Sequence, residues 1–516
     1  MKNGKLFLVT LTFIVLGTLL SSAQKNTIDP DIKKLDRYFS NARVQWEVPG
    51  MAIGIIRNNQ VVLLKGYGVA DVRNGKNVDG DTRFAVASNT KAFTATALGM
   101  LIDEGLLNWD DKVTDHLPWF RLYDPYVTYN LTIRDMLSHR SGLKTFSGDL
   151  IWYGSNHSRE EIVRRAAFLK PHHGFREVYG YSNILYLAAG LIVEQLSGMS
   201  WDDFIKTRLF LPLQMTNSNT STTDLDLNGN TSMPHNDTDS GIIAINYLNW
   251  DNIAPAGSIN SSASDMLKWL QFQLSMGTVN GNALIKESTL RETWEQQITL
   301  KVSAFSLKKF PSTHFRGYGL GWSLMDYKGR KVISHSGGYD GFISYSAFIP
   351  EENLGYVILT NKNSSLFVPL SYTILDAFLG GEQNDWSTNY FDLIEKSRKQ
   401  EEEQKAKIAG ERVSGTSPSL PAEKYCGKYT SEIYGSASVE YVSGQLLLSF
   451  DNTPIFHGTL NHWHFDTYTI VFPSVPSLPE GTVNFSINRE AKVTGMVIDV
   501  PNPDFDFTEL DFIKAQ

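Results

Sequence analysis

Strand-forming residues stand at both ends of a long helix-rich stretch, and that arrangement restricts what the chain can fold into. Near the start, "MAIGIIRNNQVVLLKGYGVAD" gives two β-rich runs around Asn58-Asn59, which predicts a hairpin. Ahead of it, from Asp29 to Trp46, apolar positions behind Pro30 recur at helical spacing. Two further strand candidates, "KVISHSGGYDGFISYSAFIP" and "LGYVILTN", come only after a helix-rich middle from Ser88 to about Leu274, and Leu370 to Phe378 reads as a closing helix. Strands from the two ends must then share one antiparallel sheet, flanked by helices, with the middle as a helical insert. This is a mixed α/β (α+β) arrangement over residues 28–380.

The texture changes beyond it. Residues 381–420, with "EKSRKQEEEQKAKIAGERVSGTSPSLP", are charged and then rich in Ser, Gly and Pro, which predicts a helical stalk and a loose linker. Residues 421–516 carry short β-rich runs such as "QLLLSF", "TYTIVF" and "TVNFSI" separated by turn residues, the pattern of a small all-β barrel or sandwich.

At the N-terminus, Lys2 and Lys5 precede an apolar run from Leu6 to Leu20 and the small residues Ser21, Ser22 and Ala23. This predicts a secretory signal peptide, residues 1–23, and a secreted protein, periplasmic or extracellular. The run is shorter than the roughly 20 residues that span a bilayer, so no stable membrane insertion is expected after cleavage. With Cys426 the only cysteine, no intramolecular disulfide can form, and Cys426 reads as a small buried hydrophobe. The net charge is −8 with no basic block, which excludes a nucleic-acid partner.

The chemistry-bearing candidate is "FAVASNTKAFTATALGML". On a helix, Ser88 and Lys91 share a face, so the amine can stand beside the hydroxyl, and the helix N-terminus favours a developing alkoxide. The spacing recurs at Ser22/Lys25, Ser141/Lys144 and Ser306/Lys309. Only Ser88 opens an apolar helix that could bury the amine, and a desolvated lysine loses its proton more easily. Tyr181-Ser182-Asn183 stands just before another apolar helix, and a phenol between two ammonium-like neighbours can drop toward phenolate and accept the serine proton. "ISHSGGYDGF" places His335, Gly337 and Gly338 on a strand, where glycine lets substrate approach the backbone. Second copies of Tyr-x-Asn at Tyr247/Asn249 and of His-x-Gly at His172/Gly174 lack the following helix or strand. His462 with His464, and His172 with His173, lack a third ligand, so neither metal nor cofactor is expected.

In this order and context the three elements resemble the serine β-lactamase and penicillin-recognising hydrolase superfamily, in particular its class C-like branch of DD-peptidases, D-aminopeptidases and esterases. "LTIRDMLSHRSGL", "APAGSINSSASDMLKW" and "YGLGWSL" look like recurring segments of that branch, and the resemblance covers roughly Lys33 to Leu379. It implies an active site between the sheet domain and the helical insert, with Ser88 acylated and Lys91 and Tyr181 activating it. Asn183 would hold the substrate, the N–H groups of Ser88 and Gly338 would form the oxyanion hole, and Tyr181 would be the base for deacylation. The Lys-[Ser/Thr]-Gly tripeptide of the family's β-lactamases is absent, and His335 is a weaker, pH-dependent cation, which makes a β-lactamase doubtful. "YCGKY", "HWHFDTY" and "VTGMVI" look like the lipocalin-like module behind some peptidase members, which would narrow the cleft or mediate assembly. The expected activity is hydrolysis of a small peptide containing D-amino acids, or of a carboxylic ester. A non-catalytic envelope or binding protein is the rival reading, and the presence of Ser88, Lys91 and Tyr181 weighs against it.

Overall fold

Asn58 and Asn59 both take positive φ, 52° and 62°, as a tight two-residue hairpin turn requires, and they join Gly50–Arg57 to Gln60–Asp71. The structure, a computed structural model, describes residues 30–515 except 239, 311, 312, 382, 383 and 503, so the expected signal peptide lies outside the described residues. The strand Gly50–Arg57 then pairs with Leu354–Thr360, Ile53 opposite Ile358, which closes one antiparallel sheet from the two ends of the domain. Across that nine-stranded sheet the order is 298–300, 316–318, 323–327, 330–339, 342–349, 354–360, 50–57, 60–71 and 76–77. Met51, Ile53 and Ile55 face the terminal helices Ile32–Gln45 and Phe367–Leu379, whereas Ala52 and Ile56 face the helical side. Burial on both faces explains the unbroken apolar run of this central strand.

The helical side is centred on Thr90–Asp103, every residue of which from Thr90 to Leu101 is buried. Its threonines are satisfied within the core: Thr94 Oγ1 donates to Pro255 O (2.7 Å) and accepts from the Trp201 indole (3.0 Å). Asn183–Ser197, also apolar on nearly all sides, packs against it. Among the described residues no single helix is long and apolar enough to cross a membrane.

After the sheet domain comes the helix Trp386–Gly410, buried only at Trp386 and Ser387, and then a closed barrel of eight antiparallel strands from Gly427–Ser431 to Asp511–Lys514. Closure is made by Tyr429 opposite Lys514, so no edge is left open. The barrel is docked, not tethered. Arg165 donates to Ile433 O (2.9 Å), Asn156 N to Asn452 O (2.8 Å), and Ile455 fills the space over Gly154, where a Cβ would lie 2.0 Å from its Cδ1. One local expectation differs: Cys426 is only half-buried, its thiol donating to Ala422 O.

One buried ion cluster fixes the turn that leads toward the site. Asp135, fully buried, accepts from Thr132 and from both Arg140 (2.6 Å) and Arg176 (2.6 Å). Burial opposes its charge, but hydrogen bonds from Arg176 and Thr132 and the charge of Arg140 hold the carboxyl below the usual range. Asp135→Ala leaves two guanidinium groups unpaired and is expected to cost about 3–5 kcal/mol at pH 7. A depressed carboxyl loses its contribution as pH falls, so thermal melts should show the deficit shrinking on acidification.

Candidate active site

Ser88 sits in a single turn, Ala87–Asn89, that feeds the helix Thr90–Asp103. The preceding Ala87 has φ 45°, a left-handed conformation that costs an alanine roughly 1–2 kcal/mol and persists only if its surroundings enforce it. They do so from the strand Phe342–Ile349. Asn89 Nδ2 donates to Ser344 Oγ (2.8 Å), Ser344 Oγ donates to Val86 O (2.7 Å), and Ser346 donates to Asn89 Oδ1. From the neighbouring strand Arg330–Tyr339, Gly337 lies so close that a Cβ there would stand 2.2 Å from Val86 O and 2.9 Å from Ser88 N.

One helical turn on, Lys91 is wholly buried. Its Nζ lies 3.1 Å from Ser88 Oγ, 2.7 Å from Asn183 Oδ1 and 2.8 Å from Ala256 O. Burial pulls the amine down to about 7, against the opposing charge of Asp149. Once neutral, the amine can give its two N–H bonds to Asn183 and Ala256, which aims the lone pair at the serine hydroxyl. Asn183 is turned for this task, because its Nδ2 donates to Asp149 Oδ2 (2.6 Å) and only Oδ1 is left to face the lysine. Asp149, 2% exposed, also accepts from the Trp152 indole (2.9 Å), and burial pushes it up to about 7.

Tyr181 lines the same cleft as Ser88 and lays its ring against Lys91 Nζ, 4.6 Å from the centroid. The expected phenolate is not favoured. Burial and the neighbouring Tyr179 push the phenol well above its ordinary value. His335, expected as a weak, pH-dependent cation, is also neutral. Its ring nitrogens are taken by Tyr318 Oη (2.9 Å) and Ser336 O (2.6 Å), and burial, then Lys91, pulls it down to about 3. A carbonyl can only accept, so Nδ1 carries the proton and Nε2 accepts from Tyr318. Asn183, expected to hold substrate, lines the cleft and is spanned between Lys91 and Asp149. Gly338 faces the open cleft with Ile343 Cδ1 its nearest contact, 3.7 Å from where a Cβ would be.

Two residues were not singled out from the sequence. Asp149 lies in a turn with no motif of its own. His139, inside the noted "LTIRDMLSHRSGL", is buried behind Tyr181 with ring centroids 4.4 Å apart. Its Nδ1 accepts from Ser182 N (3.0 Å), its Nε2 has no partner among the described residues, and burial holds it neutral. Among the described residues no group of three His, Cys, Asp or Glu could hold a metal ion.

These groups open onto a cleft of about 740 Å³ between sheet, helices and barrel. Trp152, Tyr153, Trp250 and Tyr339 form much of its apolar wall, and the barrel contributes Ser477, Leu478, Asn502, Asp504 and Phe505. No lysine or arginine is among the described residues lining it.

A serine beside a buried lysine, a tyrosine whose ring packs on that lysine and a His-x-Gly strand across the cleft define the penicillin-recognising type of serine hydrolase site. The family model described as Beta-lactamase matches residues 35–377, and the chain belongs to that family. A domain of unknown function, DUF3471, matches residues 411–514, the barrel region. Unguisins hydrolase ungD' of Aspergillus campestris is 28% identical over 440 residues, 79% of this chain and 77% of that protein. Protein flp of Staphylococcus aureus strain N315 is 27% identical over 348 residues, 65% of this chain and 64% of that protein. The octameric penicillin-binding protein homologue from Pyrococcus abyssi shares the fold, with TM-score 0.60 and 20% identity over 94% of this chain and 100% of that one.

The two glycines should behave differently. Gly337→Ala drives a methyl into the backbone around Ser88 and is expected to lower kcat/KM by about 100-fold, the order of loss that a small misplacement of reacting groups produces. Gly338→Ala has room for its methyl and should retain most activity. Kinetics of the two variants on one substrate checks this.

Proposed function

We propose that the protein hydrolyses amide bonds of small peptides containing D-amino acids through an acyl-enzyme on Ser88. The observation that carries this reading is the placement of Lys91, whose two acceptors besides Ser88 Oγ leave a neutral amine with its lone pair toward the hydroxyl. Lys91 takes the serine proton as Oγ attacks the carbonyl carbon, and the N–H groups of Ser88 and Gly338 receive the oxyanion. Tyr181 stays a phenol. It donates its proton to the departing amine nitrogen and is reprotonated from Lys91. A phenol kept protonated beside the serine suits amine leaving groups, which must be protonated to depart, better than alkoxides, and this favours peptide over ester. In deacylation the same pair works in reverse on water.

Asn183 orients the lysine, Asp149 orients Asn183, and His335 with Gly337 holds the strand against the nucleophile turn. A cleft without lysine or arginine, and with a neutral His335, offers no cation to a carboxylate beside the scissile bond. The reading is therefore of an aminopeptidase-like or internal cleavage, away from a free C-terminus, and not of a β-lactamase. The relative named as a hydrolase of unguisins supports a hydrolytic activity.

A matched set on the full chain tests this: D-alanine and L-alanine anilides, a D-Ala-D-Ala peptide with free and amidated C-terminus, an aryl ester and a penicillin. The D-anilide and the amidated peptide should be preferred, and Ser88→Ala should abolish turnover with the melting temperature kept. Ester turnover alone would overturn the peptidase assignment. Because the base must be neutral, activity should rise as pH rises through about 7.

A further inference from the structure

The second motif is held by a strip of chain that precedes it in sequence. Thr145 Oγ1 accepts from Tyr181 N (3.2 Å), Phe146 N donates to Tyr181 O (2.9 Å), the Phe146 ring meets Tyr181 edge-on at 5.5 Å, and Asp149 accepts from Asn183. Residues 145–149 thus fix both Tyr181 and Asn183. The strip does not take this shape for free, because Phe146 has φ 65° and Gly148 φ 78°, and a left-handed phenylalanine must be held there by something else.

What holds it comes from the barrel. Glu509, in the turn Phe507–Glu509, accepts from Ser147 Oγ (2.7 Å) through Oε1 and from Gly148 N (2.9 Å) through Oε2, and Tyr434 donates to the same Oε2. Ser147 is 3% exposed, so both strip donors would be left without a partner if the carboxylate were removed. Lys144 and Asp506 form an ion pair beside it. Other docking contacts, among them Arg165 with Ile433 O, Asn156 with Asn452 O, Asn236 with Pro476 O, Ser477 with Asp340 and Ile455 over Gly154, do not involve Glu509. Glu509 is therefore not what keeps the barrel in place.

We propose that Glu509 is a positioning residue for the hydrolytic site: through Ser147 and Gly148 it holds the 145–149 strip that sets Tyr181 and Asn183 against Lys91. The inference rests on the reading of Ser88 as an acylated nucleophile, and it gives the barrel a part in catalysis.

Two conservative variants of the full chain test it, Glu509→Gln and Ser147→Ala, with kcat, KM, the pH profile and the melting temperature measured on the best substrate. A misplacement below 1 Å at the reacting groups costs on the order of 10-fold to 100-fold in rate, so Glu509→Gln should lose at least about 10-fold in kcat with little change in KM. Its pH profile should also move. The charged and titratable groups around the strip are Lys91, Asp149, Glu509, Lys144, Asp506 and Tyr434, with Tyr181, Tyr186, His139 and His335 on the far side of Lys91. Glu509 raises Asp149, and Asp149 raises Lys91. Removing the Glu509 charge leaves Asp149 more ionised and Lys91 more easily protonated, so the acid limb of the profile should shift to higher pH. Ser147→Ala should lower kcat less, and the double variant should be no worse than Glu509→Gln alone, as expected for two partners of one contact.

Unchanged kcat and an unmoved limb in both variants would overturn the proposal. So would a fall in kcat that follows the melting temperature with the limb in place, since that is a purely structural effect. A wild-type protein that turns over nothing, and whose Ser88 is not labelled by a fluorophosphonate, would overturn the hydrolase reading itself and this inference with it.

Discussion

The amine of Lys91 has no contact with solvent, and the hydration it gives up has to be replaced by groups the fold delivers to it. Three oxygens do so, from Ser88 in the turn that feeds its own helix, from Asn183 at the entry to a second helix and from the backbone of Ala256 in a third. Around it the structure keeps charge to a minimum, with His139 and His335 both held neutral by burial and Asp149 the counter-charge nearest the amine. A strongly hydrated ammonium would be a poor base. A lysine whose charged form is supported only weakly is a good one, and the packing of the helical half exists in this balance.

The cleft continues the same theme. Its lining has aromatic walls and, beside Asp149, the acids Asp340 and Asp504, but no lysine or arginine among the described residues. Burial pushes both acids up, and Asp340 accepts from Tyr153 (2.9 Å) on one side and from the barrel's Ser477 (2.7 Å) on the other. The carboxyl that edges the substrate space is thus also part of the joint between the domains. With no lysine or arginine in its lining, the cleft offers an anion no such cationic partner at contact.

Much of this was legible in the residues. Asn58-Asn59 marked the hairpin, the β-rich runs on either side marked its strands, and Ser88 with Lys91 stood out because the helix behind them is apolar. What the sequence could not convey is the state of the groups once assembled. Tyr181 looked like a phenolate and His335 like a cation because the count of charged neighbours and the depth of burial belong to three-dimensional surroundings. Lys91 draws on Ala256 through a carbonyl oxygen that every residue type possesses, so no side chain advertises it. Asp149 and Glu509 are lone acids in turns, distinguished only by chain that lies 34 and more than 350 residues away.

The pairing of Gly50–Arg57 with Leu354–Thr360 bears on how the protein comes into being. The central strand is synthesised early and must wait for a partner some 300 residues downstream, with its two apolar faces uncovered in the meantime. Gly337 and Ser344, which fix the turn around Ser88, lie on strands of that same late segment. The helical insert can gather its own core beforehand, but the nucleophile cannot adopt its strained geometry until the last strands of the sheet have docked. Catalytic competence is therefore a property of the finished chain, and a nascent or truncated copy would carry all the residues of the second motif without an assembled nucleophile.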